Sequence, residues 1–230
     1  MINIHPQYNK VRNFHKSAFT MLELIMVIVV LGILASLALP RMERDLRQEA
    51  GDNILSAIRY TQHLALMDNK TNPNDVYWQR EYWHMRFGTY DGSKRFYTIS
   101  SNVNQNTDTS GNENVNKIET ALDPSNGKYM FHRSGDASLN ELDESPNIFI
   151  SKKYSIDTIA FTGGCSSQHI AFDHMGRPHV GIYNSSNTFD SYMTAECTWT
   201  FGFEDSGTTD LVITIQPETG YAQIVGQNAS

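Results

Sequence analysis

Residues 19–39 read FTMLELIMVIVVLGILASLAL, a run of 21 residues whose only charge is Glu23. At about 1.5 Å per residue the run makes roughly 31 Å of helix, the thickness of a bilayer core. The residues ahead of it, 1–18, carry Lys10, Arg12 and Lys16 and no acid, which reads as a basic cytoplasmic leader. Arg41, Arg44 and Arg47 follow the run, so lysine and arginine counts on its two flanks tie, and the positive-inside rule does not settle orientation.

The rest of the 230-residue chain suits one globular domain. Eighteen basic residues stand against 25 acidic ones, a net charge of -7 that becomes -10 without the leader, which argues against nucleic acid as a partner. Cys165 and Cys197 are the only cysteines and form no CxxC pair, which excludes a zinc finger or ribbon. One disulfide or two buried thiols remain open. If the two cysteines meet, they close a loop of about 33 residues.

Glu23 is the informative residue of the apolar run. An ionisable group beside hydrocarbon is costly and is usually partnered or functional. No basic residue lies within a helical turn of it. A cut between Ala18 and Phe19 creates the first positive charge nearby, the α-ammonium of Phe19. One straight helix brings that amine only loosely to its own Glu23, so a neighbouring copy is the better donor, and the reasoning leads to an assembly of parallel helices.

Lys16-Ser-Ala-Phe-Thr-Met-Leu-Glu23-Leu-Ile followed by an apolar helix resembles the signature of type IV pilins and pseudopilins. The resemblance covers about 50 residues. It implies cleavage at Ala18/Phe19 by a prepilin peptidase, N-methylation of Phe19, and recruitment into a helical filament through Glu23. Other pilin or pseudopilin subunits and an inner-membrane assembly platform are the implied partners, with the head in the periplasm. Ala18 departs from the glycine that the family usually carries. Two alternatives stand beside this reading. Ser36-Leu37-Ala38 is a small-x-small site that would release a secreted binding protein or enzyme from Leu39 onward. A competence-type minor pilin that captures DNA is the other, and the acidic charge and the uncharged tail 226–230 speak against it.

Pro40 marks a kink or a helix restart at the end of the run. Met42, Leu46, Ala50, Ile54, Ala57, Ile58, Thr61 and Ala65 then recur at helical spacing, so 40–70 is expected to be an amphipathic helix, ending before Asn72-Pro73-Asn74. Gly51 interrupts its interior at a cost of up to ~1 kcal/mol. From residue 71 the pattern has period two. Strands are expected near 83–87 and 95–100, joined at Asp91-Gly92, and at 128–133, 148–151, 155–162, 169–173, 180–183, 198–203, 211–216 and 221–225. Residues 101–117 read as a surface loop. The fold class is α+β, a long helix packed on a mainly antiparallel head, pilin-like in outline. The strand-turn-strand stretches 170–179 and 211–224 resemble the closing hairpins of GspH/FimT-type minor pseudopilins.

No catalytic motif and no cofactor signature occurs, so neither an enzyme nor a cofactor is expected. His169, Asp173, His174 and His179 are the densest group of candidate ligands, and their spacing fixes no third ligand, so no metal is assigned. Asn104 to Glu113 is rich in acids and amides but lacks the order of a calcium loop. Trp78, Tyr82, Trp83, Phe87 and Tyr90 are spaced either as a stacking platform or, more commonly, as the core face of a sheet.

Overall fold

The computed structural model describes residues 20–107, 114–139, 142–165, 168–183 and 191–227, with side chains described outside 36–45. Ala18 and Phe19 therefore lie outside the described residues, as does most of the 104–113 tract. The chain divides into two compact units, one ending at Met42 and one beginning at Glu43.

The helix α1 (Met21–Met67) contributes to both units, and its backbone is helical through Pro40. In the first unit the apolar side chains from Met21 to Leu34 are all exposed, on every side of the helix. Such a helix has no core of its own and needs an apolar environment from outside the unit. Among the described residues no helix is long and apolar enough to cross a membrane, and the expected span of 19–39 lies partly outside them.

The second unit is a two-sheet α+β head. Its strands are β1 (Trp83–Tyr90), β2 (Lys94–Ser100), β3 (Ile156–Gly163), β4 (His169–Phe172), β5 (Pro178–His179), β6 (Cys197–Phe203), β7 (Leu211–Ile215) and β8 (Ala222–Ile224). One sheet has the order β2-β1-β4-β5 and the other β3-β6-β7-β8, and neighbours pair antiparallel throughout. Phe87 of the first sheet meets Trp199, Phe201 and Phe161 of the second at ring-centre distances of 5.1, 5.7 and 5.8 Å. The expected helical stripe is buried here, with Ala50, Ile54, Ala57, Ile58, Thr61 and Ala65 inside and Leu46 at the margin.

Gly51 is explained by packing. A Cβ at this position would stand 2.7 Å from Ile224 Cδ1 and 3.2 Å from Leu211 Cδ1, so glycine lets α1 lie close against β8 and β7. The propensity cost is offset by that approach. Gln62 does a second piece of positioning: its Nε2 donates to the Gly176 and Thr219 carbonyls, both at 2.8 Å, so one amide of α1 holds the tips of both closing hairpins. Gly176 and Gly220 take φ values of 80° and 65° at those tips, a region that favours glycine.

Several strand expectations are corrected. Residues 128–133 form no strand. Tyr129 makes only isolated bridges, to Leu122 and Glu144. The stretch 148–151 lies in a 3-10 turn (Pro146–Ile148) and in α2 (Ile150–Tyr154). Pro146 behind a Ser145 cap starts that helical turn, and local cap chemistry outweighs the β-branched content of the run. The strand expected at 180–183 is displaced to Pro178–His179. The simple alternation of β1 also fails, since His84 is buried along with Met85 and Phe87. A second small core of Trp78, Tyr82, Ala171, Ile182 and Tyr183 accounts for its burial. His84 is satisfied there by the Tyr82 carbonyl at 2.7 Å, Ser100 Oγ at 3.0 Å and Tyr183 Oη at 2.6 Å. Trp78, Tyr82, Phe87 and Tyr90 are core residues, so the aromatic run is no stacking platform.

Candidate functional site

The first turn of α1 is built by Thr20 and Glu23. Thr20 stands just before the helix, and its Oγ1 accepts the Glu23 N–H at 3.2 Å. Glu23 reaches back, its Oε2 accepting from the Thr20 N–H at 3.3 Å and from the Thr20 hydroxyl at 3.4 Å. This is a reciprocal capping box, which satisfies donors that the first helical turn leaves without partners. The carboxylate also sits at the positive end of the helix dipole. Glu23 is exposed, and it is the one charged residue of α1 between Met21 and Leu39.

Glu23 thus has an intrachain partner that charge counting does not find. The signal lies in Thr20-Met-Leu-Glu23, the T-x-x-E pattern of a capping box. Thr20 does not neutralise the charge. It orients the side chain.

In the head, the predicted cluster of His169, Asp173, His174 and His179 comes together only in part. His169 packs against the Tyr183 ring, and His174 Nδ1 lies 3.4 Å from Thr71 Oγ1. Asp173 and His179 meet, with His179 Nε2 3.4 Å from Asp173 Oδ2. Asp173 Oδ1 accepts the Met175 and Arg177 amides, both at 2.9 Å, which shapes the turn after β4, and Oδ2 takes the Arg177 guanidinium at 2.7 and 2.8 Å. On its other side His179 Nδ1 lies 2.8 Å from Ser191 Oγ, which accepts from Gln79 Nε2 at 3.2 Å.

This arrangement has the residue types of a serine, histidine and aspartate relay. Yet His179 is fully buried between the Tyr82 and Tyr192 rings, with centre distances of 4.7 and 4.3 Å, and Ser191 is 4% exposed. A nucleophile must reach a substrate, so the geometry supports a lock between the β4–β5 hairpin and the segment from Ser191. Ser191 carries no signal in the sequence. It lies 12 residues from His179, and nothing local announces the contact.

The electrostatics of the lock follow from its burial. Burial pushes the Asp173 carboxyl up, but hydrogen bonds from His179, Arg177 and the turn amides outweigh it and hold the group well below the usual carboxylate range. Burial pushes His179 down from 6.5, and the attraction of Asp173 offsets this only in part. A histidine held below its unfolded value contributes stability that is present above pH 6.5 and is lost as the pH falls below it towards the folded value. The melting temperature of the protein is therefore expected to drop on acidification from pH 7 to 5, and His179→Asn should flatten that slope. An unchanged slope in the variant would remove His179 from the account.

Cys165 and Cys197 are bonded, with Cα atoms 5.0 Å apart. The bond ties the exit from β3 to the start of β6 and encloses β4 and β5, which join the other sheet. Of the acid- and amide-rich tract 104–113, Asn104 donates to Glu119, and among the described residues no group of three His, Cys, Asp or Glu side chains is placed to hold a metal.

The prokaryotic N-terminal methylation motif matches residues 13–39. No curated protein and no solved structure matches the chain closely enough to extend the comparison to the head. The motif implies a membrane-anchored N-terminus, processing by a prepilin peptidase and assembly with other pilins, which suits a structural subunit rather than an enzyme. From its apolar helix and the capped Glu23 to the matched motif, the chain carries the N-terminal signature of the type IV pilin and pseudopilin family.

Proposed function

We propose that this chain is a minor pilin or pseudopilin of a type II secretion or type IV pilus-like filament. Residues 1–18 are the leader, 19–39 the transmembrane and assembly helix, 40–70 the amphipathic helix and 71–230 a periplasmic head. The subunit enters the inner membrane as a single-pass protein, is cut between Ala18 and Phe19, is N-methylated at Phe19 and joins the filament from an assembly platform. Pro40 is the point at which the helix axis can bend where it leaves the membrane.

One observation supports this reading above the rest: an apolar helix exposed on every side, bearing one oriented carboxylate in its first turn. Hydrocarbon satisfies the apolar surface, and so do parallel copies of the helix. The carboxylate selects the second environment, because a neighbouring subunit's Phe19 ammonium removes the cost of an unpaired charge among apolar side chains.

N-terminal sequencing and intact mass of protein purified from its native membranes test the proposal. The expected start is N-methylated Phe19. A start at Leu39 would remove Glu23 with the helix and overturn the filament role.

A further inference from the structure

Asn126-Gly127 is the only Asn-Gly pair in the chain. Such a pair deamidates readily, because glycine puts no side chain in the way of its own nitrogen when that nitrogen attacks the asparagine amide carbon. In the reaction the Gly127 nitrogen loses its proton to hydroxide or water and bonds to Asn126 Cγ, the Cγ–Nδ2 bond breaks, and Nδ2 takes up a proton and leaves as ammonia. Water then opens the cyclic imide at one of its two carbonyls. The product is aspartate or its β-linked isomer, and either one carries a new carboxylate.

In the folded head the reacting groups are held in place. The Asp123 N–H donates to the Lys128 carbonyl at 2.8 Å, and the Asp123 carbonyl accepts from the Asn126 and Gly127 amides at 3.2 and 2.8 Å. The attacking nitrogen is therefore engaged in a backbone bond within a tight reversal. On the Asn126 side chain, Oδ1 accepts the Lys128 N–H at 2.9 Å, while Nδ2 donates to Asp123 Oδ2 and to Ser145 Oγ, both at 3.2 Å. Attack needs the face of the amide carbon turned to the Gly127 nitrogen, and these three bonds fix the amide plane.

The acceptors behind Asn126 form a buried cage. Asp123 is 5% exposed and Ser145 is fully buried. Asp123 also accepts from the Ser125 N–H and Oγ at 2.8 and 2.7 Å and from Asn147 Nδ2 at 2.8 Å. Burial pushes its carboxyl up, but the hydrogen bonds from Ser145, Ser125 and Asn147 outweigh this and hold it below the usual carboxylate range. Asn126 itself is exposed, and a Cβ at Gly127 would meet nothing within 4 Å among the described residues, so water reaches the pair. After deamidation, position 126 presents an acceptor where Nδ2 now donates to Asp123, and two like charges meet at the cage.

We propose that Asn126 is a site of spontaneous deamidation gated by the cage of Asp123 and Ser145: slow while the reversal from 123 to 128 is closed, fast when it opens, and marked afterwards by a charge that opposes closing. The inference concerns the head alone and does not rest on the filament reading.

Peptide mapping by mass of the full-length chain, held at mildly alkaline pH with and without denaturing urea, tests it. The readout is conversion of amide to acid in the peptide that contains Asn126. The folded chain should convert at least about tenfold more slowly than the chain in urea, because reaction waits on local opening. Gly127→Ala should slow conversion in urea by about tenfold, which identifies the cyclic imide as the route. Ser145→Ala removes one acceptor of Nδ2 and one donor to Asp123, and should speed conversion of the folded chain about fivefold. Asn126→Asp leaves every residue of the cage in place, and should fold and melt about 2 to 4 °C below the parent. Equal rates in the folded and denatured chain, no conversion in urea, a folded Ser145→Ala chain that converts no faster, or an Asn126→Asp chain that melts with the parent would overturn the inference.

Discussion

Glu23→Ala is expected to leave the chain inserted in the membrane and to remove it from filaments. The variant loses two things at once, the capping bond to the Thr20 amide and the charge that a neighbour's Phe19 ammonium pairs with. Loss of the cap costs about 1 kcal/mol and frays the first turn. Loss of one member of an ion pair among apolar helices costs about 3 to 5 kcal/mol, because the remaining ammonium is left uncompensated. The second effect dominates and corresponds to more than about a hundredfold in association.

Glu23→Gln separates the two contributions. An amide oxygen still accepts from Thr20, so the cap is retained while the charge is gone. Both variants should accumulate in membranes and be missing from sheared filament fractions. If Glu23→Gln assembles like the parent chain, Glu23 acts through the cap and the ion-pair role is lost.

Removing the disulfide has the next largest effect. The Cys165→Ala/Cys197→Ala double variant should lose about 3.5 to 4 kcal/mol of stability, the chain-entropy value for a closed loop of about 33 residues. For a head of this size that corresponds to a fall in melting temperature on the order of 10 °C. The location makes a large share of that value attainable. The enclosed segment leaves one sheet, contributes β4 and β5 to the other and returns, so both ends of an excursion between sheets are held at one point. Thermal unfolding of the double variant, and of the parent chain with and without reductant, measures the effect. A melting temperature within about 2 °C of the parent would show that the two sheets hold the excursion without the bond. Formation of the bond also requires an oxidising compartment, as the proposed periplasmic location of the head would supply.

Features set by local pattern are legible in the amino-acid sequence. The apolar run, the stripe from Ala50 to Ala65 and the Asp91-Gly92 turn each depend on residues within a few positions of one another. In the turn, Asp91 and Gly92 take φ values of 44° and 85°, which Asp and Gly tolerate, and Tyr90 pairs with Lys94 across it. The Thr20–Glu23 cap is equally local, but it escapes a reading of Glu23 as a charge alone. Residues 128–133 and 148–151 show the opposite failure. Their β-branched and aromatic content suits a strand, but a strand needs a partner edge, and partners are assigned by the whole chain.

The sequence by itself determined the long helix, most of the strands and the N-terminal signature, because helical periodicity, turn chemistry and a charge inside an apolar run are properties of neighbouring residues. Only the tertiary structure decided the order of strands in the two sheets, the approach of Gly51 to β8, and the meeting of Ser191 with His179. Each depends on residues far apart in the chain, and the free energy that joins them comes from burial and hydrogen bonding that exist once the sheets have paired.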